Sequence, residues 1–151
     1  MKRLLIILIA LALVLSACTG PTRQDDVLFT LGHYESRQYY TSGDFQDFTD
    51  FALYTYEGID MEDNPYFAPL TEGDLETLSA FLDNYESWID TIKRDDPQDE
   101  VVVNYAFDRS MMDAGDWFYI YENPTYPKFG SYDIWFLDSQ TCVLYYFHNN
   151  I

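Results

Sequence analysis

The sequence predicts an α+β domain built on a mostly antiparallel six-stranded sheet, with one helix packed across a face. Three observations predict it. Apolar residues recur at helical spacing in one long segment, between residues 71 and 94. Six other segments are short, rich in β-branched and aromatic residues, and bounded by turn formers. The helical segment falls after the second of these six, giving the order β-β-α-β-β-β-β, which suits a sheet with a helix on one side.

Val27 to Tyr34 (VLFTLGHY) and Phe48 to Glu57 (FTDFALYTYE) read as strands, with the polar, glycine-containing stretch Tyr40 to Asp47 connecting them. GIDMEDNPYFAP, residues 58–69, holds two prolines among turn formers and reads as a loop. In the helical segment Leu75, Leu78, Leu82, Tyr85, Ile89 and Ile92 share one face, widened by Phe81 and Trp88. Thr71 is placed as N-cap with Asp74 three residues on, and Leu70 and Leu75 occupy hydrophobic-staple positions. Its first turn is acidic (Glu72, Asp74, Glu76) and its last basic (Lys93, Arg94), as the helix dipole favours, and Asp95-Asp96-Pro97 stops it.

Four extended segments follow. Val101 to Phe107 (VVVNYAF) alternates, and Trp117 to Tyr121, Tyr132 to Leu137 and Cys142 to His148 complete the set, the last two joined by the turn Asp138-Ser139-Gln140-Thr141. Several of these strands carry large rings on both faces. Either the sheet curls into a half-barrel around its own side chains, or one face is a binding surface.

The chain opens MKRLLIILIALALVLSAC, with Lys2 and Arg3 before an apolar run of 12 residues, Leu4 to Leu15. That is the layout of an export signal, and the run is shorter than the roughly 18 to 20 residues of a membrane-spanning helix. Leu15-Ser16-Ala17-Cys18 resembles the lipobox of bacterial lipoproteins. The resemblance implies cleavage after Ala17 and a diacylglycerol on Cys18, so that acyl chains hold the mature protein to the membrane; two chains suffice for a stable anchor. The expected organisation is a signal peptide over residues 1–17, a lipidated Cys and short tether over 18–26, and one globular domain over 27–151. The expected location is a bacterial cell membrane or outer membrane, facing away from the cytoplasm.

The formal net charge is −18. Lys2 and Arg3 would leave with the signal while all 26 acidic residues stay, which takes the mature chain to −20. Such a chain is repelled by nucleic acid, which is excluded as a partner. Disorder is excluded by 14 Tyr, 11 Phe and 3 Trp, whose rings supply ample apolar surface. With Cys18 acylated, Cys142 stands alone and no intramolecular disulfide forms.

No catalytic set emerges. Cys142 and His148 on one strand would be roughly 20 Å apart at about 3.3 Å per residue, and His33 has no ligand or base spacing to either. Asp60, Glu62, Asp63 and Asn64 in one loop, and Asp108, Asp113 and Asp116 in another, do not follow a calcium-loop pattern, so no metal and no cofactor is expected. The remaining feature is aromatic. Trp117, Tyr119 and Tyr121 share one strand face, an arrangement that stacks against sugars or grips a protein, unless the rings are core. The chain therefore reads as a surface-anchored, non-enzymatic binding module for an extracytoplasmic protein or carbohydrate, a basic protein fitting its charge. In anchoring and acidity it is similar to the lipid-anchored lysozyme inhibitors of bacteria, whose targets are basic enzymes. A carboxylate-based envelope hydrolase and a structural accessory of an envelope complex are the alternatives.

Overall fold

A computed structural model of the chain describes residues 22–43 and 47–150. Ala17, Cys18 and the rest of the signal segment lie outside the described residues. The chain divides into two compact units, one ending at Gly32 and the other running from His33 to Ile151.

In the first unit, helix α1 spans Arg23–Leu31. This corrects two expectations, a strand from Val27 and an unpatterned tether through residue 26. The reason is local. Thr22 and Asp25 form a reciprocal capping box: the Asp25 N–H donates to Thr22 Oγ1 at 3.2 Å and the Thr22 N–H to Asp25 Oδ2 at 2.9 Å. At the other end Gly32, with φ of +81°, closes the helix in a conformation that side-chain-bearing residues rarely adopt. Two good end signals outweigh the β-branched content between them.

The second unit is an open, six-stranded antiparallel sheet in the order β1-β2-β6-β5-β4-β3: β1 Ser36–Gly43, β2 Phe48–Thr55, β3 Ala68–Pro69, β4 Trp117–Glu122, β5 Ser131–Asp138 and β6 Val143–Asn150. The predicted α+β class stands. β1, however, lies beyond the expected first strand and takes up residues 40–43 of the expected connection, and it pairs with β2 from Ser36↔Thr55 to Gly43↔Phe48. β3 is a two-residue edge pairing inside the loop of residues 58–69, where a proline is tolerated. The expected strand over Val101–Phe107 is instead the short helix α3, Glu100–Asn104, preceded by the long helix α2, Leu75–Asp95. Asp99 caps α3, its Oδ1 accepting from the Val101 N–H at 2.8 Å, and this cap overrides the β propensity of three valines.

The helices of this unit cover one sheet face. Leu78, Leu82, Tyr85 and Ile89 of α2 are buried, as their spacing predicted, and pack with Phe51, Tyr132, Ile134, Phe136, Tyr145 and Phe147 from β2, β5 and β6. The helix begins later than the Thr71 cap predicted. Thr71 donates its N–H and hydroxyl to Asp74 Oδ2 (3.1 and 2.5 Å), building a turn ahead of the first helical residue. The Tyr85 hydroxyl reaches through the core to the Asp50 carbonyl at 2.7 Å, and the Tyr132 hydroxyl to Asn84 Oδ1 at 2.8 Å. Outside this core Arg109 clamps α2, contacting Asp83 at 2.7 Å and Glu86 at 2.8 Å. Burial works against its charge, but the bonds to these carboxylates outweigh it and raise its pKa.

The β5–β6 hairpin turns where expected. Asp138 Oδ1 accepts from the Gln140 and Thr141 N–H groups, and Cys142 takes a left-handed conformation with φ of +55°. Leu82 is fully buried beneath this sheet. Leu82→Ala should therefore cost about 2–5 kcal/mol, seen as a lower denaturant midpoint with an unchanged slope; a loss below about 1 kcal/mol would show that α2 does not close the core.

Candidate functional site

The face of the sheet away from α2 is organised in rows set by strand register. One row runs Tyr39, Ala52, Tyr146, Trp135, Tyr119 from β1 to β4, and the next runs Thr41, Asp50, His148, Asp133, Tyr121. A third continues Arg37, Tyr54, Leu144, Leu137, Trp117. Because directly opposed residues in antiparallel strands point the same way, each row is a line of neighbouring side chains on one face.

The first row is a ladder of rings. Tyr119 stacks on Trp135 with centroids 5.1 Å apart and planes at 20°, and Trp135 meets Tyr146 at 5.1 Å. Tyr146 then lies near-parallel to His148 at 6.3 Å, and His148 rests 4.8 Å from Phe48. At the β4 end, Tyr66 and Phe67 from the loop before β3 pack against Tyr119 at 5.3 and 6.4 Å. Trp135 is fully buried, whereas Trp117, Tyr119 and Tyr121 are each half-buried. The three predicted site residues thus share a face, as expected, and that face is not the one that packs on α2.

The second row is polar. His148 Nδ1 lies within hydrogen-bond distance of Asp133 Oδ1, at 2.6 Å, and the Tyr146 hydroxyl donates to the same oxygen at 2.8 Å. Across the row the Tyr39 hydroxyl donates to Asp50 Oδ2 at 2.6 Å. Asp50 Oδ1 and His148 Nε2 are buried and have no hydrogen-bond partner among the described residues. Chemically, the row holds an imidazole beside a carboxylate, with two further buried polar atoms that no described residue pairs. Arg37 already lies over the Tyr39 ring at 4.5 Å and the Tyr54 ring at 5.7 Å, so the face hosts cation–π contacts.

No family profile, curated protein or solved structure matches this chain. The site is therefore read from its own geometry. Sequence reasoning missed Asp50, Asp133, Tyr39 and Tyr146. A signal was present, since Asp50 and Asp133 each interrupt an apolar strand, FTDFALY and SYDIWFL, where a charge needs a partner. Cys142 is a free, partly exposed thiol just before β6, while the His148 ring lies against Asp133, so the two do not form a pair. His33 is exposed and stacks on Tyr34 at 5.9 Å. Among the described residues no group of three or more His, Cys, Asp or Glu is arranged to hold a metal ion. The loop acids instead support turns: Asp60 accepts from the Glu62 N–H, Asn64 from the Tyr66 and Phe67 N–H groups, and Asp108 from the Ser110 N–H. Buried Asp116 ties the Asp113 N–H to the Ser139 N–H and hydroxyl.

Burial raises the pKa of Tyr39, reinforced by its bond to Asp50, and burial likewise raises Tyr146, with Asp133 adding to the effect. Tyr56, Tyr85, Tyr105, Tyr132 and Tyr145 are also raised, burial being the leading cause each time. The unfolded chain releases these protons near pH 10 while the folded chain retains them. Stability from this source is complete below that pH and falls as pH rises through the folded values. In an alkaline titration these phenols should ionise only together with loss of the far-ultraviolet dichroism; independent ionisation of all 14 tyrosines near pH 10 would contradict the burial.

Proposed function

We propose that the protein is a lipid-anchored, extracytoplasmic binding module that grips a basic partner protein with the β4 end of the ring-bearing sheet face. One observation carries this reading: Trp117, Tyr119 and Tyr121 stand side by side, only partly buried, on the face not used by α2. Rigid rings of this kind lose little conformational entropy on binding and are enriched among residues that dominate interface energies. The rest of the ladder supports them from behind, since Tyr119 is held by Trp135, Tyr66 and Phe67.

Charge selects the partner. A formal charge of −18 repels acidic proteins and steers basic ones, raising the association rate at low salt. Lysine or arginine side chains of the partner would meet ring faces of the type Arg37 occupies within the molecule. Anchoring rests on the likeness of Leu15 to Cys18 to a lipobox; among the described residues no helix is long and apolar enough to cross a membrane.

Two outcomes are expected. Cys18→Ser should leave the signal uncleaved or release the protein from the membrane fraction, and unchanged processing and attachment in that variant would overturn the anchor. With the full chain in zwitterionic detergent and lysozyme as the basic probe, association should slow as salt rises. The double variant Trp117→Ala/Tyr121→Ala should weaken it by at least about tenfold. Binding that ignores both salt and the double substitution would contradict the assignment.

A further inference from the structure

A second site lies on the opposite face of the sheet, between its end and the C-terminal half of α2. Here the α2-facing row ends in Thr49 and Asn149, directly paired across β2 and β6. Above them a cavity of about 200 Å³ opens, lined by Trp88, Thr91, Ile92 and Asp95 of α2 together with Asp47, Thr49 and Asn149. It is physically separate from the β4 ring face and owes nothing to it.

The lining is chemically specific. Asn149 is 2 % exposed, and its Oδ1 accepts from the Thr49 hydroxyl at 3.0 Å. Its Nδ2 is buried with no hydrogen-bond partner among the described residues. A buried amide donor left unmade is unfavourable, and Asn149 is one of the residues that line the cavity. At the mouth, Asp47 and Asp95 are exposed carboxylates, which need donors. The wall supplied by Trp88 and Ile92 is apolar and includes an indole.

These demands discriminate between ligand classes. An anion would satisfy Asn149 Nδ2 but meet two carboxylates at the entrance. A cation would suit the carboxylates but find no acceptor in the Asn149 N–H, whose Oδ1 already serves Thr49. An aliphatic ligand would leave every polar group unserved. Hydroxyl groups both donate and accept, and a pyranose ring carries them around its rim while presenting C–H groups to an aromatic surface. The volume, below that of a drug-sized pocket, suits one ring rather than an extended chain.

We propose that this cavity is a binding site for a single neutral sugar ring, with Asn149 donating to a ring hydroxyl, Trp88 forming the stacking wall, and Asp47 and Asp95 accepting from outer hydroxyls. The inference goes beyond the protein-gripping role and stands or falls separately, because none of its residues belongs to the β4 ring face.

The test is saturation-transfer NMR and tryptophan fluorescence on the full chain, in a detergent without a sugar head group. Glucose and N-acetylglucosamine are the sugar probes, with lysine amide and acetate as the cationic and anionic comparisons. Sugar binding is expected in the millimolar range, weakened at least tenfold by Trp88→Ala and by Asn149→Ala, while lysozyme binding is retained. Asp95→Ala, at the exposed end of α2, leaves the core untouched and should weaken the sugar severalfold, which keeps the test valid if either other variant fails to fold. Absence of saturation transfer from both sugars would overturn the proposal, as would sugar binding indifferent to Asp95→Ala and to whichever of the other variants fold. Equal binding of lysine amide or acetate would do the same.

Discussion

Side-chain alternation along the β5–β6 hairpin is the constraint on which the rest of the second unit depends. Every residue of β5 is buried, so both faces of this strand need cover. Tyr132, Ile134 and Phe136 project toward α2, while Asp133, Trp135 and Leu137 project the other way. A helix seals the first face, pinned by the bond from the Tyr85 hydroxyl to the Asp50 carbonyl. On the second face Trp135 is fully buried, lying between Tyr119 and Tyr146. At β4 every residue, Trp117, Tyr119 and Tyr121 included, is only partly buried.

The polar row follows from the same alternation and reinforces it. Asp50, His148 and Asp133 are neighbours only in the observed register, which places all three on the ring-bearing face. A slip of β2 or β5 by one residue would move Asp50 or Asp133 beneath α2, among Leu82, Tyr85 and Phe147. An unpaired buried carboxylate there is far costlier than one held by Tyr39, or by His148 and Tyr146. The row therefore does two things, penalising wrong pairings and giving the face an acidic, acceptor-rich character next to its rings.

Legibility in the sequence tracked the length and contrast of each pattern. α2 was readable because six apolar positions hold helical spacing over several turns, and β2, β4, β5 and β6 because aromatic and β-branched residues cluster between clear turn signals. α1 runs against its composition, which suits a strand from Val27, because the Thr22–Asp25 box and Gly32 fix its two ends. β1, with the sequence SRQYYTSG, is polar and has little apolar alternation, since most of it is exposed and its place is fixed by pairing with β2. α3 turned on one aspartate cap. For the site, sequence alone placed Trp117, Tyr119 and Tyr121 on one face. Which side of the sheet that is, and that His148 meets Asp133 rather than Cys142, depends on strand order, and no local pattern encodes strand order.

The central claim is that on the ring-bearing face Trp135 of β5 is fully buried while Trp117 of β4 is only partly buried. Acrylamide quenching of single-tryptophan proteins tests it most directly, one retaining Trp135 and the other Trp117, with the remaining tryptophans replaced by phenylalanine. The account predicts that Trp135 emits at short wavelength and is barely quenched, while Trp117 is quenched several times more efficiently. Equal quenching of the two, or greater access to Trp135, would contradict it.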